Sequence, residues 1–156
     1  MATIVGGARN RANCTSCVAG ELAFAFVGGG EANTVLGAHA SIVAGLQNAV
    51  RSDKAVIAGG SKNAIMPNAE TSCVSGGREN VIVAPENSAS DNAAIGGGLT
   101  NTVMGSCSVV AGGMLNTASE HFAIAGGGRL NVITARYGVV GGGLSNSVSG
   151  TGGSVT

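Results

Sequence analysis

An all-β fold of stacked coils is predicted by three observations on this 156-residue chain. Nine asparagines recur along it, Asn10, Asn33, Asn48, Asn63, Asn80, Asn101, Asn116, Asn131 and Asn146, at intervals of 23, 15, 15, 17, 21, 15, 15 and 15 residues. Glycines cluster just before most of them, as in Gly28-Gly29-Gly30, Gly96-Gly97-Gly98 and Gly141-Gly142-Gly143. An apolar or small residue stands two positions after each: Ala12, Val35, Val50, Ile65, Ile82, Val103, Ala118, Ile133 and Val148. A short repeat of this kind is the signature of a solenoid, and it outranks local propensity. The fold class is therefore a parallel β-solenoid, or β-roll, of about nine fifteen-residue coils, each with two short strands, in a single repeat domain over residues 1–156.

Each unit opens on a short strand, such as Ile42-Val43, Val56-Ile57, Val109-Val110 or Val139-Val140. A tight corner follows, where glycine supplies positive φ or lets backbones approach closely. Asparagine closes the corner, because it tolerates the left-handed region better than other side chains. Stacked coils would also bring its amide against the asparagines above and below, forming a ladder. The second strand then carries the core residue, with Val35, Val50, Ile65, Ile82, Val103, Ile133 and Val148 as the larger members of that column. Alternation in and out of the strands places these side chains in a slot just wide enough for aliphatic groups.

A variable link of about five residues leads into the next unit and holds much of the charge: Arg51-Ser52-Asp53-Lys54, Met66-Pro67-Asn68-Ala69-Glu70, Ser119-Glu120-His121 and Thr134-Ala135-Arg136-Tyr137. Both prolines, Pro67 and Pro85, fall in links, where no ladder hydrogen bond is lost. The longer intervals, Asn63 to Asn80 and Asn80 to Asn101, lengthen the same links. Insertions collected at one point of a repeat mark one face of the stack, the first place to look for binding. At a sheet spacing of about 4.8 Å, nine coils give a rod of roughly 43 Å. Helix is excluded, since glycine costs about 1 kcal/mol per residue in a helix interior.

Composition narrows the function classes. The chain has 28 glycines, no tryptophan, one tyrosine and three phenylalanines, with 10% charged residues. A thin Val, Ile and Ala core is all it can build. Eight basic and eight acidic residues cancel, without a basic run to follow phosphates, so no nucleic acid is expected as a partner. The longest apolar run falls far short of the roughly 20 residues that span a bilayer, so no membrane insertion is expected. Met1 to Val5 enters the first repeat with no charged n-region or apolar h-region, and no signal peptide is expected. Cys14, Cys17, Cys73 and Cys107 do not recur with the repeat, which predicts unpaired thiols and a reducing compartment, or a particle assembled there.

The strings GAHASIVAGLQNAV (Gly37 to Val50) and GSCSVVAGGMLNTA (Gly105 to Ala118) resemble the head repeats of the YadA-like trimeric autotransporter adhesins. Similar repeats occur in phage and large-virus fibre or surface proteins. The resemblance runs from about Thr3 to Gly150 and implies a left-handed parallel β-roll, with three chains packed side by side. A physical motive points the same way, because a single thin roll buries little apolar area per residue. Leu46, Leu99, Met114, Leu115, Leu130 and Leu144, just before the asparagines, are the aliphatics that could cover a partner.

Catalytic and cofactor chemistry finds little footing. Cys14 and Cys17 have the spacing of half a zinc site, but Cys73 and Cys107 stand alone, and a redox pair would want a helix N-terminus. His39 and His121 occupy links about five coils apart, beyond shared ligation, and Glu120 beside His121 should point to the opposite face. The triple glycines lead into strands rather than a helix with lysine behind it, unlike a phosphate loop. Ice binding would need a regular threonine array, and the column after each asparagine reads Arg11, Thr34, Ala49, Ala64, Val81, Thr102, Thr117, Val132 and Ser147.

The expectation is a non-enzymatic protein without cofactor or metal: a fibre, spike or capsid-associated component on the exterior of a virus or phage particle. Its partners would be two further copies, other particle or fibre proteins stacking on the solenoid ends, and a host receptor or glycan met through the links. The alternative is the head of a bacterial trimeric surface adhesin, on the cell surface, binding host matrix or glycan.

Overall fold

A computed structural model describes residues 1–14, 24–85 and 89–156. Among the described residues there are nineteen short strands and no helix. They alternate between two parallel sheets. Ten strands, from Ala2–Ile4 and Ala25–Val27 to Ser154–Val155, form one sheet, and nine, from Arg11–Ala12 to Ser147–Val148, form the other. Within each sheet a strand pairs only with those one coil before and one coil after, so the architecture is an all-β parallel solenoid.

Most strands are two residues long, and these carry one residue inward. Val27, Ile42, Ile57, Val74, Ile95, Val110, Ala125 and Val140 line the core from the ten-stranded sheet. Val35, Val50, Ile65, Ile82, Val103, Ala118, Ile133 and Val148 face them from the nine-stranded sheet, none more than 5% exposed. Ala40, Ala55, Ala93 and Ala123 close the slot on the link side. The strand expected at Ile42-Val43 is shifted by one residue: it covers Ser41–Ile42, and Val43 is exposed. Register explains the shift, since Ser41 pairs with Val56 and Ile42 with Ile57, keeping both isoleucines inward.

The asparagine ladder has a uniform geometry. The backbone N–H of Asn33 donates to Asn10 Oδ1 at 3.0 Å, Asn48 to Asn33 at 3.0 Å, and so on to Asn146 on Asn131 at 3.0 Å. Each side-chain amide from Asn10 to Asn131 also donates to two backbone carbonyls, and that of Asn146 to one. Asn101 Nδ2, for example, reaches Gly97 O at 2.9 Å in its own corner and Gly113 O at 3.0 Å in the next coil. Seven ladder asparagines, from Asn33 to Asn131, are fully buried. No buried side-chain polar atom among the described residues lacks a partner.

One expectation about these asparagines is overturned. None of them has positive φ; the left-handed residue is the one before, namely Arg9, Ala32, Gln47, Lys62, Glu79, Thr100, Leu115, Leu130 and Ser145, with φ of 54 to 58°. The asparagine must aim its amide along the stack, so its neighbour makes the turn. That turn also reverses a peptide. Leu46 N–H donates forward to Gly60 O, whereas Gln47 N–H donates back to Glu31 O, both at 2.9 Å. Glycine three positions before each asparagine is equally constrained. At Gly113, with φ of 89°, an added Cβ would lie 2.2 Å from Gly128 O and 2.7 Å from Asn116 Nδ2.

Two stability outcomes follow. Asn101→Ala strands the Asn116 N–H and the Gly97 carbonyl and leaves Gly113 O with Leu99 N–H alone, and is expected to cost about 2–4 kcal/mol. Asn146→Ala removes only the amide's bonds to Gly142 O and Asn131 Oδ1 and should cost less than half as much; denaturant titration by circular dichroism compares the two. Thr100 is a β-branched residue held at φ 54°, so Thr100→Gly is expected to be neutral or to raise stability by up to about 1 kcal/mol in the same assay.

Candidate functional surface

Among the described residues the links close in a second corner of recurring backbone shape. His39, Lys54, Thr71, Asn92, Cys107, Phe122 and Tyr137 all have φ of 53 to 60°, and Gly152 has 71°. As at the first corner, their N–H groups donate backwards: Lys54 to Ala38 O at 2.7 Å, Phe122 to Ser106 O at 3.0 Å and Tyr137 to His121 O at 3.1 Å. The left-handed turn projects these side chains outward, and every one from His39 to Tyr137 is exposed.

The residue before each of them can seal the adjacent coil. Asp53 Oδ1 accepts from Ala38 N–H at 2.7 Å, Asp91 Oδ1 from Glu70 N–H at 2.9 Å, and His121 Nδ1 from Ser106 N–H at 3.2 Å. Buried serines work inside the same corner. Ser108 Oγ donates to Glu120 O at 2.7 Å and accepts from Ala123 N–H at 3.0 Å. Ser72 makes the equivalent pair of bonds, to Ser90 O at 3.0 Å and from Ala93 N–H at 3.1 Å. Sequence reasoning missed these serines, although each replaces an alanine at the same place in the repeat.

Several link features carry recognition potential. The lengthened link between Asn63 and Asn80 helps form an open depression of about 270 Å³, lined by Arg51, Ser52, Asp53, Pro67, Asn68 and Glu70. The Lys54–Glu70 pair near it is 4.0 Å apart and largely exposed, which makes it a weak restraint. Phe122 and Tyr137 stack on adjacent rungs, with ring centroids 5.0 Å apart and planes within 8° of parallel. Phe24 meets His39 at 5.9 Å in a tilted contact. His39 and His121 both lie on this face, His39 in the turn column and His121 one residue before Phe122 five rungs on, and no described group of three or more His, Cys, Asp or Glu could hold a metal.

The two sheets present different outer faces. In the ten-stranded sheet the paired outward column runs Thr3, Phe26, Ser41, Val56, Cys73, Ala94, Val109, Ile124, Val139 and Ser154, without an acidic or basic residue. In the nine-stranded sheet the outward column starts with Arg11 and has threonine only at Thr34, Thr102 and Thr117. At the glycine corner, Leu46, Met114, Leu115, Leu130 and Leu144 are exposed, whereas Leu99 is half-buried.

The cysteines divide. Cys73 and Cys107 are free and exposed, but Cys14 is disulfide-bonded, against the expectation of unpaired thiols. A disulfide needs two sulfurs brought together, not positions that recur from coil to coil, so irregular spacing was no argument against one. Cys17 lies outside the described residues, and with it the Cys14 and Cys17 half-site reading.

No protein-family model matches this sequence, and no curated protein matches it. The class the structure defines is the parallel β-solenoid, with its variable chemistry on the link corner and an uncharged outer column on one sheet.

Proposed function

We propose that this chain is a non-enzymatic structural and attachment protein, a β-solenoid fibre, spike or capsid-associated component on the exterior of a virus or phage particle. It assembles as a side-by-side homotrimer and meets a host receptor or glycan through its links. The observation that carries this reading is the uncharged outer column of the ten-stranded sheet, where Phe26, Val56 and Ile124 are each more than a third exposed. From Val56 to Val139 the column carries no hydroxyl or charge, and an exposed apolar strip of that kind marks an interaction surface. The exposed leucines of the glycine corner extend the area available to neighbouring copies. The repeat's resemblance to YadA-like heads supports the trimeric arrangement.

Ala2–Ile4 and Ser154–Val155 each have a single neighbour in their sheet. Other particle or fibre proteins stacking on the solenoid ends belong to the same proposal, since an open parallel edge templates further strands.

The head of a bacterial surface adhesin is the second reading. The Cys14 disulfide favours it, since such bonds persist in oxidising surroundings.

Native mass spectrometry is expected to give three times the 14.9 kDa chain mass, about 45 kDa. Maleimide labelling should mark Cys107 on the link face and spare Cys73 on the sheet face until the trimer is dissociated. A monomer in which both thiols react equally fast, with no particle containing the chain, would overturn the assignment.

A further inference from the structure

The stacked rings on the links end in an open place. Phe122 and Tyr137 share the same left-handed backbone, both at φ 60°, one rung apart. Their 5.0 Å separation matches the strand spacing of about 4.8 Å, so the stack advances one ring per rung along the rod. The next rung carries Gly152, at the position matching Tyr137, and a Cβ built there meets nothing within 4 Å. Tyr137 is 51% exposed.

Arg136 does not close that place. Its guanidinium carbon is 5.3 Å from the Tyr137 centroid and 5.9 Å from that of Phe122. A group capping the far face of Tyr137 would stand roughly 8 Å or more from Phe122, one ring separation plus a stacking distance. The guanidinium therefore flanks the pair and does not cap the far face of Tyr137. Among the described residues Arg136 makes no ion pair.

We infer that Tyr137, Arg136 and the bare backbone at Gly152 form an open slot against the Tyr137 ring that binds a pyranose bearing a carboxylate, the terminal or internal acidic sugar of a glycan. The apolar C–H face of the sugar continues the Phe122–Tyr137 stack where the third side chain is missing. The carboxylate takes the guanidinium fork, a geometry that arginine satisfies with two parallel hydrogen bonds. The exposed Thr151 hydroxyl, in the turn below, is available to ring hydroxyls. A neutral sugar satisfies the stack and leaves the cation unmatched. The inference rests on the attachment reading for its biological use, but the slot itself is tested separately.

Tyr137 is the only tyrosine and the chain has no tryptophan, so tyrosine fluorescence reports this slot alone. The intact protein is titrated with sialyllactose, with trigalacturonate and with lactose. A saturable change with one or both acidic sugars, at least tenfold weaker with lactose, is the expected result; which acid responds identifies the source. Arg136→Gln should weaken acidic-sugar binding at least tenfold with an unchanged circular dichroism spectrum. Gly152→Asn keeps a residue that tolerates positive φ while filling the slot, and should also abolish the response. No saturable change with either acid, equal affinity for lactose, or full binding by Arg136→Gln overturns the proposal. A protein that forms the trimer yet ignores all three sugars loses this slot and keeps the attachment reading.

Discussion

The bond from each asparagine N–H to the carboxamide oxygen of the asparagine one coil earlier is the constraint on which the rest of the structure depends. It holds at 2.9 to 3.0 Å across all eight steps of the ladder. Because the same carboxamide also bonds two corner carbonyls, as Asn101 does with Gly97 and Gly113, it sets both corner shape and coil spacing. The glycine three positions earlier then has no room for a side chain, and the residue just before the asparagine must turn left-handed. One local requirement thus propagates into the recurring motif. The Val and Ile slot is comparatively simple, a file of side chains held apart by backbone geometry rather than by interlocking bulk.

Corner peptides show how a thin fold satisfies its backbone. Strand and bridge residues such as Leu46 send their N–H groups to the following coil, while left-handed residues send theirs to the preceding one. Each left-handed non-glycine residue costs on the order of 1 kcal/mol in backbone preference. The redirected hydrogen bond offsets that cost, because it pairs an N–H that the turn points away from the following coil. The turn recurs in the described link corners from His39 to Tyr137, which therefore share one backbone shape despite varied chemistry.

The fold could be read from spacing alone, since asparagine, glycine and the aliphatic two places on recur in step. Val35, Val50, Ile65, Ile82, Val103, Ile133 and Val148 are buried as their alternation implied. What spacing could not convey was which residue in a corner bears the strain. Asn10 and Arg9 are adjacent, and a preference for asparagine at positive φ points to the wrong one; the hydrogen bonds decide for Arg9. The candidate surface was legible only as a location. Composition called the links variable, but that Phe122 and Tyr137 meet face to face depends on two links having one backbone shape, a property of φ that no single residue announces. The Cys14 disulfide was hidden for a different reason, because it obeys no periodicity.

The left-handed position in the link turn dictates backbone shape and leaves chemistry open. His39, Lys54, Thr71, Asn92, Cys107, Phe122 and Tyr137 occupy equivalent places, yet they include a base, an alcohol, an amide, a thiol and two aromatic rings. The rod therefore behaves as a ruled line on which one outward side chain can be written per rung, about 4.8 Å from the next. Neighbouring letters can combine into a contact, as the two rings do, while the lines beneath them stay unchanged. A protein built this way can acquire a new surface specificity by editing single letters, with its core and ladder taking no part in the change.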